Sequence, residues 1–178
     1  MKYSIDYIKT LQSVDFLFFW GHQPSKDGKI TKSCFSQWWI SNFIENDIIY
    51  KSAEHYMMAQ KALLFNDNKA FEKIINCISP KDVKSIGREI KSFDAQIWDE
   101  NKYQIVKKGN FLKFNQNQDL KNFLLSTNDK IIVEASPVDA IWGIGLAEDN
   151  PKAKNIHTWE GENLLGFALM EVRDELNT

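Results

Sequence analysis

Cysteine is scarce in this chain, and the two present, Cys34 and Cys77, stand far apart with no CxxC or Cys/His spacing. That excludes a disulfide framework and a structural zinc knuckle, and makes a reducing compartment the simplest expectation. Histidine is sparser than a metal enzyme needs: His22, His55 and His157 form neither HxxxH nor HExxH. Proline occurs four times and no low-complexity run or 20–50-residue repeat appears, so neither a disordered tail nor a solenoid is indicated. No stretch approaches the roughly 20 apolar residues of a membrane span, and MKYSIDYIKTLQSVD carries no apolar leader core, so a cytoplasmic protein is expected, with no membrane partner. An excess of charge is missing too. With 22 Lys and Arg against 24 Asp and Glu, no global basic field draws the chain to nucleic acid, and such a substrate needs a local basic rim.

What the chain has in quantity is aromatic surface: six Trp, five Tyr and twelve Phe, dense at FLFFW (16–20) and QWW (37–39). Most are expected in the core, where ring area is commonly buried, and the rest can stack on a flat base. At 178 residues the chain fits one domain able to bury roughly 70% of its unfolded surface. The domain is expected over 16–178, after a variable segment 1–15.

Between the aromatic clusters, HQPSKDGKITKS (22–33) reads as an exposed loop. Asn46-Asp47 before Ile48-Ile49-Tyr50 predicts a turn into a short strand, and Ser52 can cap a helix through AEHYMMAQKALLF. A second helix is predicted over 68–78. Ser79-Pro80 with Asp82 marks the start of a third. Beyond Asp94 a long amphipathic segment runs past Gly109, Asp119 can cap a further helix, and Lys130–Glu134 is the clearest strand. Leu164–Leu176 closes the chain as a helix with Asn163 as its possible cap, and Leu165, Leu169 and Val172 on one face. The sum is an α-rich α+β domain with a few short strands.

Three places can carry chemistry. Glu54 and Lys61 lie seven residues apart, on one helix face and about 10 Å apart along the axis. Spacing alone favours a solvated pair, although both long side chains can also converge on a ligand. His55 beside them reads as a packing residue before a general base. Glu134 and Asp139 sit at the end of a predicted strand and on the loop after it, where ligand contacts concentrate. In that loop Trp142 can stack on a ring and Gly143 and Gly145 permit close backbone approach; a glycine turn with Trp142 plugging the core is an equal reading. Arg88 can grip a phosphate or pair with Glu89 or Asp82, and Asn163 is a helix cap before it is a ligand contact.

Taken together, SNF (41–43), EHYMMAQKA (54–62), GR (87–88), KFNQN (113–117), VEASPVDAIWGIG (133–145) and WEGENLLGFALMEVRDEL (159–176) resemble the NADAR, or YbiA-like, family, in its block order from about Phe18 to Leu176. The resemblance implies an α-rich fold and an N-glycosidase acting on a ribose–base bond. The substrate would be a ribosylamino-pyrimidine phosphate of early riboflavin synthesis or ADP-ribosylated guanine in nucleic acid. It implies Glu54, Lys61 and Asp139 as catalytic groups, and substrate contacts at Trp142, Gly143, Asn42, Phe43, Arg88, Lys113, Glu134 and Asn163. It also reverses the preference for a solvated Glu54–Lys61 pair. Departures at Ile40, Asn46-Asp47 and Ser52 touch the pocket wall and remove no catalytic group. Such chemistry requires no metal or organic cofactor. The rival from another class is a module that binds ADP-ribose or a nucleotide without turnover. Near-neutral charge leans towards a small molecule, and the lysines of 26–32 lean towards nucleic acid.

Overall fold

A computed structural model describes residues 1–177. Among them run seven α-helices and four strands: α1 (Ile5–Lys9), β1 (Phe16–Phe19), β2 (Phe43–Glu45), β3 (Ile48–Tyr50), α2 (Ala53–Leu64), α3 (Asn68–Asn76), α4 (Pro80–Arg88), α5 (Ala95–Gln116), α6 (Gln118–Leu125), β4 (Ile131–Glu134) and α7 (Leu164–Leu176). The α-rich expectation holds. None of these helices is long and apolar enough to cross a membrane. Two compact units emerge, one continuous over Gln37–Gln118 and one assembled from Met1–Ser36 with residues 119–177.

The continuous unit is built by local signals. Asn46 and Asp47 both adopt positive φ, 50° and 63°, which matches the twist of a two-residue hairpin, and β2 pairs antiparallel with β3, Phe43 opposite Tyr50. Side-chain caps then start four helices in succession: Ser52, Asp67, Ser79 and Asp94 each accept a first-turn backbone N–H. Packed by α3, α4 and α5, α2 buries Tyr56, Met57, Met58, Ala59 and Ala62. Gly109 does not break α5. A Cβ there would stand 2.6 Å from the Tyr56 ring, so the glycine lets α5 pass close to α2.

In the discontinuous unit β1 pairs parallel with β4, Phe16 opposite Ile131 and Phe19 opposite Glu134. FLFF, expected only as an aromatic cluster, is therefore a strand. A Cβ on Gly166 would overlap the Ile132 carbonyl, which brings α7 directly against β4. Buried on almost every side, α7 is a core helix; Leu165, Leu169 and Val172 are part of an apolar surface that also takes in Phe167, Ala168 and Met170. Two expectations need correction. Asp119 lies in the first turn of α6, which begins one residue earlier, so its carboxylate meets the helix dipole without being the cap. Asn163 occupies the cap position of α7 in a left-handed conformation, φ 55°, but its side chain makes no cap bond.

Candidate active site

Because Ser52 Oγ accepts the His55 backbone N–H, the first turn of α2 fixes Glu54 on its inner side, where it is only 2% exposed. His55 is equally enclosed. Its Nε2–H donates to the Cys77 carbonyl at 3.2 Å, which leaves Nδ1 to accept from the Ser52 hydroxyl at 2.8 Å. With both ring nitrogens engaged, His55 is a packing residue, and burial holds its pKa below the ordinary histidine value.

Two turns on, Lys61 is half-buried and points its amine inward. Nζ donates to the Gly87 carbonyl at 2.9 Å and lies 4.3 Å from the centre of the Phe93 ring and 5.4 Å from that of Trp98. Burial lowers the pKa of this amine, and the Glu54 carboxylate acts in the opposite sense, favouring the ammonium. The pair is therefore not a solvated one: a carboxylate and an amine share a shielded face and feel each other's field.

Sequence reasoning passed over Phe93. The signal was nevertheless present, since Phe93 and Trp98 stand just before and four residues after the Asp94 cap, the spacing of a hydrophobic staple. Elsewhere in this unit Asn42 is exposed, with its carbonyl accepting from Asn117 Nδ2 at 3.1 Å, and Arg88 is exposed at the end of α4. Phe43, 1% exposed, stacks on Tyr50 at 5.8 Å, and Lys113 is fully enclosed in α5. Both are as enclosed as Glu54.

The second cluster belongs to the discontinuous unit and is held by its backbone. Asp139 Oδ1 accepts from the N–H groups of Ile141, at 2.9 Å, and Trp142, at 2.8 Å, while its carbonyl accepts from Gly145, whose φ is +69°. Ile144 N–H donates to the Glu134 carbonyl, and a Cβ on Gly143 would come within 2.7 Å of that same oxygen. The segment before α7 fastens the loop: Glu160, Glu162 and Asn163 donate to the carbonyls of Ile144, Ala140 and Gly143. Asp139, Trp142 and Glu134 stay half-exposed on this rigid turn. Asn163 is enclosed, Oδ1 accepting the Glu134 N–H and Nδ2 donating to the Ile132 carbonyl, both at 3.0 Å, so its amide serves the edge of β4. A cleft of about 410 Å³ lined by Val14, Asp15, Thr127 and Lys130 holds none of the candidate residues; the Lys130–Asp15 ion pair bridges its wall.

Residues 18–177 match the NADAR domain model. The chain belongs to the NADAR family. Over 172 residues it is 45% identical to N-glycosidase R617 of Acanthamoeba polyphaga mimivirus, covering 93% of this chain and 98% of that one. N-glycosidase YbiA of Escherichia coli strain K12 is 33% identical over 127 residues, 71% of each chain. The NMR structure of E. coli YbiA superposes with a TM-score of 0.73 at 28% identity, over 96% of this chain and 89% of that one. This NADAR protein is accordingly an enzyme, a hydrolase of the N-glycosidase class.

Proposed function

We propose that this NADAR protein hydrolyses the bond between a ribose C1 and a base nitrogen, with Glu54 and Lys61 as the central groups. As that bond breaks, positive charge grows on C1 and negative charge on the departing base, so a carboxylate is needed by the sugar and a donor or nucleophile by the bond. The observation that carries the reading is the shielded pair itself. Burying Glu54 and part of Lys61 is costly, such a perturbed pair is a mark of functional sites, and an amine eased towards neutrality can react as well as donate.

Glu54 would orient water or support the oxocarbenium-like state. Lys61 would donate to the sugar or leaving nitrogen, or attack C1 as the base departs with a proton, giving an imine with the opened ribose that water then hydrolyses. Asp139 would hold ribose hydroxyls or serve as the second acid/base, Trp142 would stack on the base or sugar, and Arg88 and Lys113 would reach phosphate oxygens. Between the two substrate classes, a ribosylated small-molecule phosphate is favoured over ADP-ribosylated nucleic acid. In the lysine-bearing loop Lys29 is paired with Asp27 at 3.1 Å and Lys32 with Glu148 at 2.7 Å, which spends much of the basic rim that nucleic acid would need.

The test is mass spectrometry of the products after parallel incubation with a ribosylamino-pyrimidine phosphate and with guanine-ADP-ribosylated DNA. Release of ribose phosphate or ADP-ribose, lost in Glu54→Gln, is the expected result. Silence on both substrates, with ADP-ribose still bound, would move the protein to the class of non-catalytic binders.

A further inference from the structure

We propose that Phe93 and Trp98, together with the Gly87 carbonyl, are positioning residues for Lys61, an aromatic niche that holds its amine in one place and strips part of its water. The inference rests on the second of the two roles proposed for Lys61, the amine that attacks C1, and it adds the residues that act through it. A lysine at a protein surface ordinarily extends its four-carbon stem and keeps its ammonium hydrated. Lys61 does the opposite. It is fixed by one carbonyl at 2.9 Å and by rings at 4.3 and 5.4 Å.

Each wall of the niche is itself set by the fold. The Phe93 ring stands edge-on to that of Phe65, centres 5.3 Å apart, and Phe65 is buried. Trp98 is placed by the capped start of α5, its N–H bonded to the Asp94 carbonyl at 3.0 Å. The Gly87 carbonyl reaches the amine because a Cβ on Gly87 would overlap Met58 of α2, so only glycine lets α4 approach without rearrangement. A hydrophobic staple serves helix entry by packing its two side chains together, and needs no cation over it. Here the amine lies over both members, and Phe93 remains 47% exposed, an open wall towards solvent.

The charges acting on the amine can be named from each packed element. Glu54 on its own helix, the carbonyl end of α4 and the faces of the two rings favour the ammonium; the loss of water favours the neutral amine and outweighs Glu54. At the ends of α4 and α5, Arg88 and Asp94 are exposed and screened. Opening the wall with a polar side chain therefore restores hydration and moves the amine back towards ordinary lysine behaviour.

The experiment uses the full chain and reads Lys61 directly. Competitive labelling with acetic anhydride across a pH series, quantified on the peptide carrying Lys61, gives the titration midpoint of the amine without any substrate. Phe93→Ser and Trp98→Gln are expected to raise that midpoint by about one pH unit. The pH limb of kcat should move equally, with kcat about tenfold lower at neutral pH and KM within about twofold. Phe93→Tyr and Trp98→Phe should restore both. Midpoints that do not move, or that move while the kcat profile stays put, overturn the positioning role. Full turnover in Lys61→Ala would instead overturn the role of Lys61, a failure recognisable apart from the labelling. Should Trp98→Gln not fold, Phe93→Ser, at an exposed position, carries the test.

Discussion

Replacing Asn163 by alanine isolates how the edge of β4 is maintained. The wild-type amide satisfies two buried backbone groups, the Glu134 N–H and the Ile132 carbonyl, each at 3.0 Å. Left without partners in a fully enclosed site, they cost about 1–3 kcal/mol each, and holding alanine at φ 55° adds about 1–2 kcal/mol. A loss of about 4 kcal/mol is expected, a fall in Tm of roughly 10 °C for a chain of this size. Asn163→Gly should recover about 1 kcal/mol of it, because glycine accepts positive φ without strain while still lacking the amide. Asn163→Asp keeps the acceptor for Glu134 but turns a carboxylate oxygen on the Ile132 carbonyl, so it should be at least as damaging as alanine at neutral pH and milder in acid, where the protonated oxygen can donate. Urea unfolding followed by tryptophan fluorescence reads all three. If Asn163→Ala lies within about 1 kcal/mol of wild type, the assignment of this side chain to β4 is wrong.

Other perturbations are equally direct. Glu54→Gln should leave Tm within a few degrees and cut kcat by about 10²–10⁴, whereas comparable loss of fold by circular dichroism would show a structural role only. Gly166→Ala sets a methyl group into the Ile132 carbonyl, a clash with backbone that cannot swing aside, and should cost about 2–3 kcal/mol or more by chemical denaturation. His55 is held neutral, its folded pKa depressed below the unfolded value near 6.5, so its contribution is complete above that pH and is lost as pH falls through 6.5 towards the folded value. The stability gap between wild type and His55→Gln should therefore be wider at pH 7.5 than at pH 5, and an equal gap would refute the argument. Asp139→Asn, which keeps an oxygen for the Ile141 and Trp142 N–H groups, should hold stability near wild type, while Asp139→Ala loses about 1–2 kcal/mol in thermal melts.

Features written in short-range chemistry were legible in the sequence. Ser52 and Ser79-Pro80 announce helix starts because a cap needs only a side-chain oxygen and three following residues, and the Asn46-Asp47 turn is equally local. Features that depend on a distant partner were not. FLFF reads as an aromatic cluster until β4 lies beside it, and Asn163 reads as a cap until its amide is seen bridging β4. Gly109 looks like a weakness in α5 because the Tyr56 ring that requires it lies on another helix. The Glu54–Lys61 spacing was visible, but exposure was not, and spacing alone pointed to solvent. What surrounds Lys61 comes from the end of α4 and the entry of α5, so only the tertiary packing of α2 could reveal it.

The order in which this chain leaves the ribosome matters for how it folds. Gln37–Gln118 is continuous, and all of it has been made well before β4 and α7 are. Phe16, by contrast, must wait for Ile131, so β1 emerges long before β4 and stays an unpaired apolar strand while everything from 20 to 130 is made. During that interval FLFFW is the segment most open to wrong pairing and to capture by chaperones. Substitutions that weaken β4 or α7 should therefore lower the yield of folded protein more than their equilibrium cost suggests, because they lengthen the time β1 spends without its partner.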